Sequence, residues 1–101
     1  MTQYIFVYGT LRLKSLRREL LGHETLSLPG RLNGFSTGSV ILDGIEYPII
    51  TENPDSKETI NGEYFAVDEQ DLEKIDAYES YAYRRNKVEL ENGIVAWVYI
   101  K

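Results

Sequence analysis

Cysteine is absent from this chain of 101 residues, and histidine occurs once, as His23. The first absence excludes disulfides, thiolate nucleophiles and zinc–thiolate sites. The second removes every two-histidine metal motif and any catalytic arrangement that needs more than one imidazole. Long apolar runs are also missing, since no segment approaches the roughly 18 consecutive apolar residues of a membrane-spanning helix. The chain runs at once into Tyr-Ile-Phe-Val-Tyr, without the basic leader and small-residue cleavage site of a signal peptide, so a cytoplasmic protein with no membrane partner is expected. Positive charge is in deficit, with 11 Lys and Arg against 16 Asp and Glu and a net charge of −5. Binding to phosphate backbones needs clustered Lys and Arg, so nucleic acid is not an expected partner. The local run Arg12, Lys14, Arg17 and Arg18 reads as a solvated helix face, with attraction of a substrate carboxylate as the alternative.

What is present is ordinary for a globular protein: 43% hydrophobic and 27% charged residues. The length fits one domain, residues 1–101, large enough to bury a core but of modest stability. Tyr occurs eight times, which suits a small core that also lines a polar cavity.

Tyr4–Tyr8 is apolar on both faces and rich in β-formers, so it reads as a buried strand broken by Gly9 and Thr10. A short helix comes next over Ser15–Leu21, with Ser15 as its cap, Gly22 as its stop, and Leu16, Leu20 and Leu21 on its apolar side. Leu26–Phe35 looks extended, with Pro29 restricting it to an edge, a bend or a strand start. Asp43-Gly44 between Val40–Leu42 and Ile45–Ile50 is a hairpin signal, and Asn92-Gly93 between Tyr83–Leu90 and Ile94–Ile100 is another. Thr51–Thr59 is a polar surface loop. Ile60–Val67 returns to strand, and Asp68 caps the clearest helix of the chain, through Glu79. The expected fold class is α+β: a compact, mixed or antiparallel, barrel-like sheet of about six strands with two external helices. Trp97, alternating with Val95 and Tyr99, is read as core, and His23 beside Gly22 as exposed.

Successive helix residues turn by about 100°, so Leu72, Ile75 and Glu79, spaced i, i+3, i+7, share one face. Glu69, Glu73, Lys74 and Ala77 occupy the others. Glu79 should therefore point towards the core or a cavity beside it. Loss of solvation and the negative end of the helix dipole both disfavour its anion, and a carboxyl poised nearer neutrality is a better proton acceptor and donor. Pairing with Arg84 or Arg85 beyond the helix end is the alternative. A second feature is the loop Tyr8-Gly9-Thr10-Leu11-Arg12. A sharp turn there would free backbone N–H groups, and Gly9 would let a ligand approach them closely, a concave arrangement suited to a carboxylate. An ordinary strand-to-loop turn is the alternative.

Five segments together resemble the γ-glutamylcyclotransferase-like (AIG2-like) family over nearly the whole chain, Tyr4 to Tyr99. Tyr8-Gly9-Thr10-Leu11 is similar to the family's loop after the first strand. Glu46-Tyr47-Pro48 is similar to its central aromatic–Pro segment, Ile60-Asn61-Gly62-Glu63-Tyr64 to its strand with a Gly-Glu pair, Ile75-Asp76-Ala77-Tyr78-Glu79 to its helix end, and Tyr83-Arg84-Arg85 to its Tyr-x-Arg beyond that helix. Two departures stand out: Ser80 where the family pattern has Gly, and a short stretch from Glu79 to Tyr83. The resemblance implies a compact mixed barrel with helices outside, Glu79 as general acid/base, and Tyr8, Gly9, Thr10 and Leu11 holding a substrate carboxylate. It implies release of 5-oxoproline and an amine from a γ-glutamyl small molecule, with no cofactor and no metal. Tyr83 could orient substrate or Glu79, and Tyr47 could line the pocket, core packing being the alternative for both. A non-catalytic domain of the same fold, binding a small carboxylate or amine, is the other reading of the resemblance.

Overall fold

The computed structural model describes residues 2–79 and 83–100. Along the chain run β1 (Gln3–Val7), a single 3₁₀ turn (Thr10–Arg12), α1 (Lys14–Leu21), β2 (Leu28–Asn33), β3 (Phe35–Leu42), β4 (Ile45–Glu52), β5 (Thr59–Val67), α2 (Glu69–Glu79), β6 (Arg84–Glu89) and β7 (Val95–Ile100). The α+β class holds, but the sheet does not close into a barrel. An open five-stranded sheet has the order β2-β5-β1-β7-β6, and β3 and β4 form a separate hairpin. Gly34, at a φ of 85°, turns the chain out of β2 into β3. The extended stretch Leu26–Phe35 is thereby split between two sheets, and β2 is left as an edge, where Pro29 costs no ladder hydrogen bond. Among the described residues no helix is long and apolar enough to cross a membrane.

β1 is the middle strand, antiparallel to β5 and parallel to β7. Both of its faces are covered, which is why its sequence is apolar throughout. Phe6 joins Leu32, Phe35, Ile50, Tyr64 and Val98 on the face covered by the β3–β4 hairpin. Ile5 and Val7 join Phe65, Leu72, Ile75 and Leu21 on the face covered by the helices. The five-stranded sheet is thus the middle layer, and each large side chain it buries contributes about 1.5–3 kcal/mol.

The hairpin turns obey their sequence signals. Asp43 and Gly44 both have positive φ, 51° and 77°, as a two-residue primed turn requires. At the second hairpin the Gly93 N–H donates to the Leu90 carbonyl at 2.9 Å with Gly93 at a φ of 88°, a three-residue turn that ends in a glycine bulge. On β7 both faces are covered, and Tyr99 is buried in the core on the helix side as its alternation implies. Ala96, Val98 and Ile100 are buried, whereas Val95 is exposed. Trp97 lies half-buried beneath the cations of Arg85 and Lys87.

α1 ends as expected at Gly22, which adopts a left-handed conformation and donates its N–H to the Arg18 carbonyl. Ser15 lies inside the helix rather than at its cap. The basic run is not uniformly solvated: Arg12, Lys14 and Arg18 are exposed, but Arg17 is only 2% exposed. α2 begins with a reciprocal cap in which the Asp71 N–H donates to Asp68 Oδ1 at 2.8 Å and the Asp68 N–H to Asp71 Oδ2 at 3.1 Å.

His23 is half-exposed and its Nε2 lies 2.7 Å from Asp71 Oδ1, so it ties the end of α1 to the start of α2. The hydrogen bond to Asp71, aided by the Glu24 carbonyl, raises the imidazole pKa. Burial alone would push the Asp71 carboxyl up, but hydrogen bonds from His23 and Asp68 prevail and hold it low. The raised His23 contributes stability that is complete below its unfolded pKa and disappears as pH rises through the folded value. The lowered Asp71 contributes above its own unfolded pKa and fails in acid. His23→Ala should therefore lower Tm by at most a few degrees near about pH 5.5, the difference shrinking as pH rises through the raised imidazole pKa. Thermal melts of both proteins across that range check it.

Candidate active site

A narrow cavity opens where the end of β1, the β4 segment Tyr47-Pro48 and the end of α2 meet. Its volume is about 50 Å³, and its wall includes Tyr8, Gly9, Thr10, Leu11, Tyr47, Glu79 and Tyr83. Every candidate site residue read from the sequence thus faces one space. Phe6, Val7, Pro48 and Tyr99 complete the wall. An outer compartment of about 260 Å³ shares Thr10, Tyr47, Glu79 and Tyr83 with it and adds Leu42, Asp43 and Tyr78.

The bend after β1 is shaped by its own hydrogen bonds. The Arg12 N–H donates to the Gly9 carbonyl at 3.1 Å and the Leu13 N–H to the Thr10 carbonyl at 3.0 Å. The N–H groups of Gly9, Thr10 and Leu11 have no backbone acceptor among the described residues. A side chain at Gly9 would meet Pro48 Cγ at an ordinary 3.5 Å, so the bend lies beside the β4 wall of the cavity. Thr10 Oγ1 and the Tyr78 hydroxyl lie 3.0 Å apart and link the bend to α2.

Glu79 is the last residue of α2. Leu72 and Ile75, on the same helical face, are 1% and 0% exposed, and that anchoring carries Glu79 half-buried into the cavity. Burial pushes its carboxyl pKa up to about 7 from 4.5. Arg85, the alternative partner for Glu79, is engaged by Asp76 through two bonds, Nε at 3.0 Å and Nη2 at 3.1 Å. The Tyr99 hydroxyl also donates to Asp76, so α2 is fastened to β6 and β7 one turn before Glu79. Ser80 and the rest of the short stretch to Tyr83 lie outside the described residues.

The tyrosines form a polar lining with fixed donors. Tyr8 donates to the Tyr99 carbonyl at 2.7 Å and Tyr83 to the Pro48 carbonyl at 3.1 Å. Burial pushes the phenol pKa of Tyr8, Tyr83 and Tyr99 up, and the nearby Glu79 adds to each. All three therefore remain protonated donors at neutral pH. Tyr99 escaped the sequence reading. Its signal was a hydroxyl on an otherwise apolar last strand, but only the pairing of β7 with β1 brings it to the cavity. Among the described residues no three His, Asp or Glu side chains gather as a metal site would require.

Comparison with known proteins shows the family. The family described as gamma-glutamyl cyclotransferase, AIG2-like, matches residues 5–101. A protein of Vibrio cholerae serotype O1, provisionally named a gamma-glutamylcyclotransferase, is 35% identical over 99% of this chain and 83% of its own. The crystal structure of an AIG2-like protein from Mus musculus superposes with a TM-score of 0.74 at 28% identity, covering 99% of this chain and 77% of that one. A solution structure from Arabidopsis thaliana shares the fold, with a TM-score of 0.80 at 24% identity; this chain spans 62% of its length. The chain belongs to the gamma-glutamyl cyclotransferase, AIG2-like family.

Proposed function

We propose that the protein cyclises a γ-glutamyl amine or peptide to 5-oxoproline and releases the amine, with Glu79 as the single general acid/base. The observation that carries this reading is a half-buried carboxyl, held at a pKa of about 7, in the same cavity as the free N–H groups of the Gly9–Leu11 bend.

A γ-glutamyl group brings its own nucleophile, the α-amine. The backbone amides of Gly9, Thr10 and Leu11 would hold the α-carboxylate, and this fixes the neighbouring ammonium near Glu79. Folding the substrate in this way replaces a rare conformer with one ready to react. The Glu79 carboxylate accepts a proton from the ammonium. That first proton passes from Glu79 to solvent. The amine nitrogen then bonds to the γ-carbonyl carbon and gives its second proton to Glu79. The original amide C–N bond breaks, and Glu79 delivers this proton to the departing nitrogen, so that the ring nitrogen keeps one hydrogen and the amine leaves neutral. Ring closure thus consumes no water. Tyr8, Tyr83 and Tyr99, all donors at neutral pH, orient the walls around the reacting atoms.

Incubation with a panel of γ-glutamyl amines and peptides, with 5-oxoproline and free amine quantified by mass spectrometry, tests the reading. Equimolar appearance of both products is expected. Binding of the panel without product would instead favour a binding domain. The pH profile is a second check. The reaction starts from ionised Glu79, so kcat/KM should fall about tenfold for each pH unit below about 7. A profile flat down to about pH 5 would remove Glu79 from the role of base.

A further inference from the structure

Arg17 is a charged side chain sealed inside the protein, and the reaction above does not use it. Its guanidinium makes four hydrogen bonds. Nη1 donates to the carbonyls of Leu11 and Arg12, each at 3.0 Å. Nε donates to Thr25 Oγ1 at 2.8 Å and Nη2 to Ser27 Oγ at 3.1 Å. Behind these groups stands Glu63, whose Oε1 accepts from the Ser27 hydroxyl at 2.5 Å and lies 3.9 Å from Arg17 Nη1. Glu63 is paired with Val7 at the end of β1. The Phe65 ring closes one side, 5.0 Å from the guanidinium carbon.

The two carbonyls are the informative contacts. A peptide group is planar, with its C=O and N–H pointing in opposite directions. The peptide that presents Leu11 O to Arg17 presents Arg12 N–H to the Gly9 carbonyl, and the next one presents Arg12 O to Arg17 and Leu13 N–H to the Thr10 carbonyl. Arg17 therefore grips, from the far side, both peptide units whose N–H groups close the bend. The same two bonds occupy the carbonyls of Gly9 and Thr10, so the bend offers the cavity N–H groups instead of oxygens. Packing alone would be served by an apolar side chain, which is often as stable as a buried ion pair.

We infer that Arg17 is a positioning residue that sets the Tyr8–Leu11 bend for the α-carboxylate of the substrate, an inference that rests on the function proposed above. Lysine, with one compact ammonium, cannot span two carbonyls and two hydroxyls in the plane that the guanidinium fork covers. The test compares two anilides in Arg17→Lys. γ-Glutamyl anilide carries the α-carboxylate; 4-aminobutanoyl anilide is the same molecule without it and cyclises to 2-pyrrolidinone. The wild type should prefer the first. In Arg17→Lys that preference in kcat/KM should shrink about tenfold, mainly through KM of the γ-glutamyl compound, as expected when charge-assisted hydrogen bonds are misaligned.

Should Arg17→Lys fail to fold, Ser27→Ala removes one of its partners and should reduce the same preference by about threefold. An unchanged preference in whichever variant folds, with both anilides slowed alike, overturns this inference and leaves the proposed reaction standing. Absence of turnover of γ-glutamyl anilide by the wild type overturns the proposed reaction and this inference with it.

Discussion

Glu79→Gln should lower kcat by about 100- to 10,000-fold, the usual range for loss of a general acid/base, while affinity for 5-oxoproline is kept. The glutamine fills the same space on the face anchored by Leu72 and Ile75 but can neither take up nor return a proton. Its stability should change in the opposite sense. The folded protein holds the carboxyl at about 7 against an ordinary 4.5, so it binds this proton more tightly than the unfolded chain does. Stability is therefore complete below about pH 4.5 and is lost as pH rises through about 7. Above that range wild type keeps a half-buried anion and the variant does not. Each tenfold in proton affinity corresponds to about 1.4 kcal/mol, and partial exposure screens about half of the total. Glu79→Gln should accordingly be about 1–2 kcal/mol more stable than wild type at pH 8 and nearly equal to it at pH 4. Urea unfolding at both pH values, beside steady-state rates, reads both effects. A variant with full activity would end the case for Glu79 in catalysis.

Gly62→Ala should cost about 3 kcal/mol or more, at the upper end of what overpacking exacts. A Cβ at this position of β5 would fall well inside contact distance of the Val7 carbonyl oxygen and 2.7 Å from Phe6 Cζ. The first obstacle is backbone of the central strand and the second is a core ring. Neither can withdraw without loosening the ladder that ends at Val7 and Glu63, one residue before the Tyr8–Leu11 bend. For a domain of this size the loss corresponds to a fall in Tm of about 12 °C or more. Gly38→Ala is the control. Its added methyl meets Ile49 Cγ1 at an ordinary 3.6 Å, so its Tm should stay close to that of wild type. Similar melting of the two variants would show that the close approach at Gly62 is tolerated.

The parts of the site that a sequence can reveal are those written in local periodicity. Leu72, Ile75 and Glu79 lie on one helix, where a 3.6-residue repeat decides which way a side chain faces. The turns at Asp43-Gly44 and Asn92-Gly93 are set by residues that tolerate positive φ. Arg17 could not be read this way. Its neighbours Arg12, Lys14 and Arg18 are solvated, and its burial is decided by Thr25, Ser27 and Glu63, which reach it from elsewhere in the fold. Asp71 is likewise an acid in a first turn full of acids, and its partner His23 reaches it from 48 residues away in sequence. The separate β3–β4 sheet was not legible either, because a single left-handed glycine, Gly34, diverts β3 out of the main sheet. On the last strand, Trp97 packs against the helix-side core beside Tyr99 as expected, and the two cations over its ring are what the sequence did not show.

The parallel pairing of β1 and β7 has a consequence for how the protein is made. The strand synthesised first is held between partners that leave the ribosome much later, and the hydroxyl of Tyr8 finds its acceptor on Tyr99 across 91 residues of sequence. Until β7 has cleared the exit tunnel, β1 has one bare edge and the cavity has no Tyr99. Until then Ile5, Phe6 and Val7 lack the neighbours that β7 supplies. The cavity should therefore be completed when β7 pairs with β1, rather than build up gradually as the earlier elements fold.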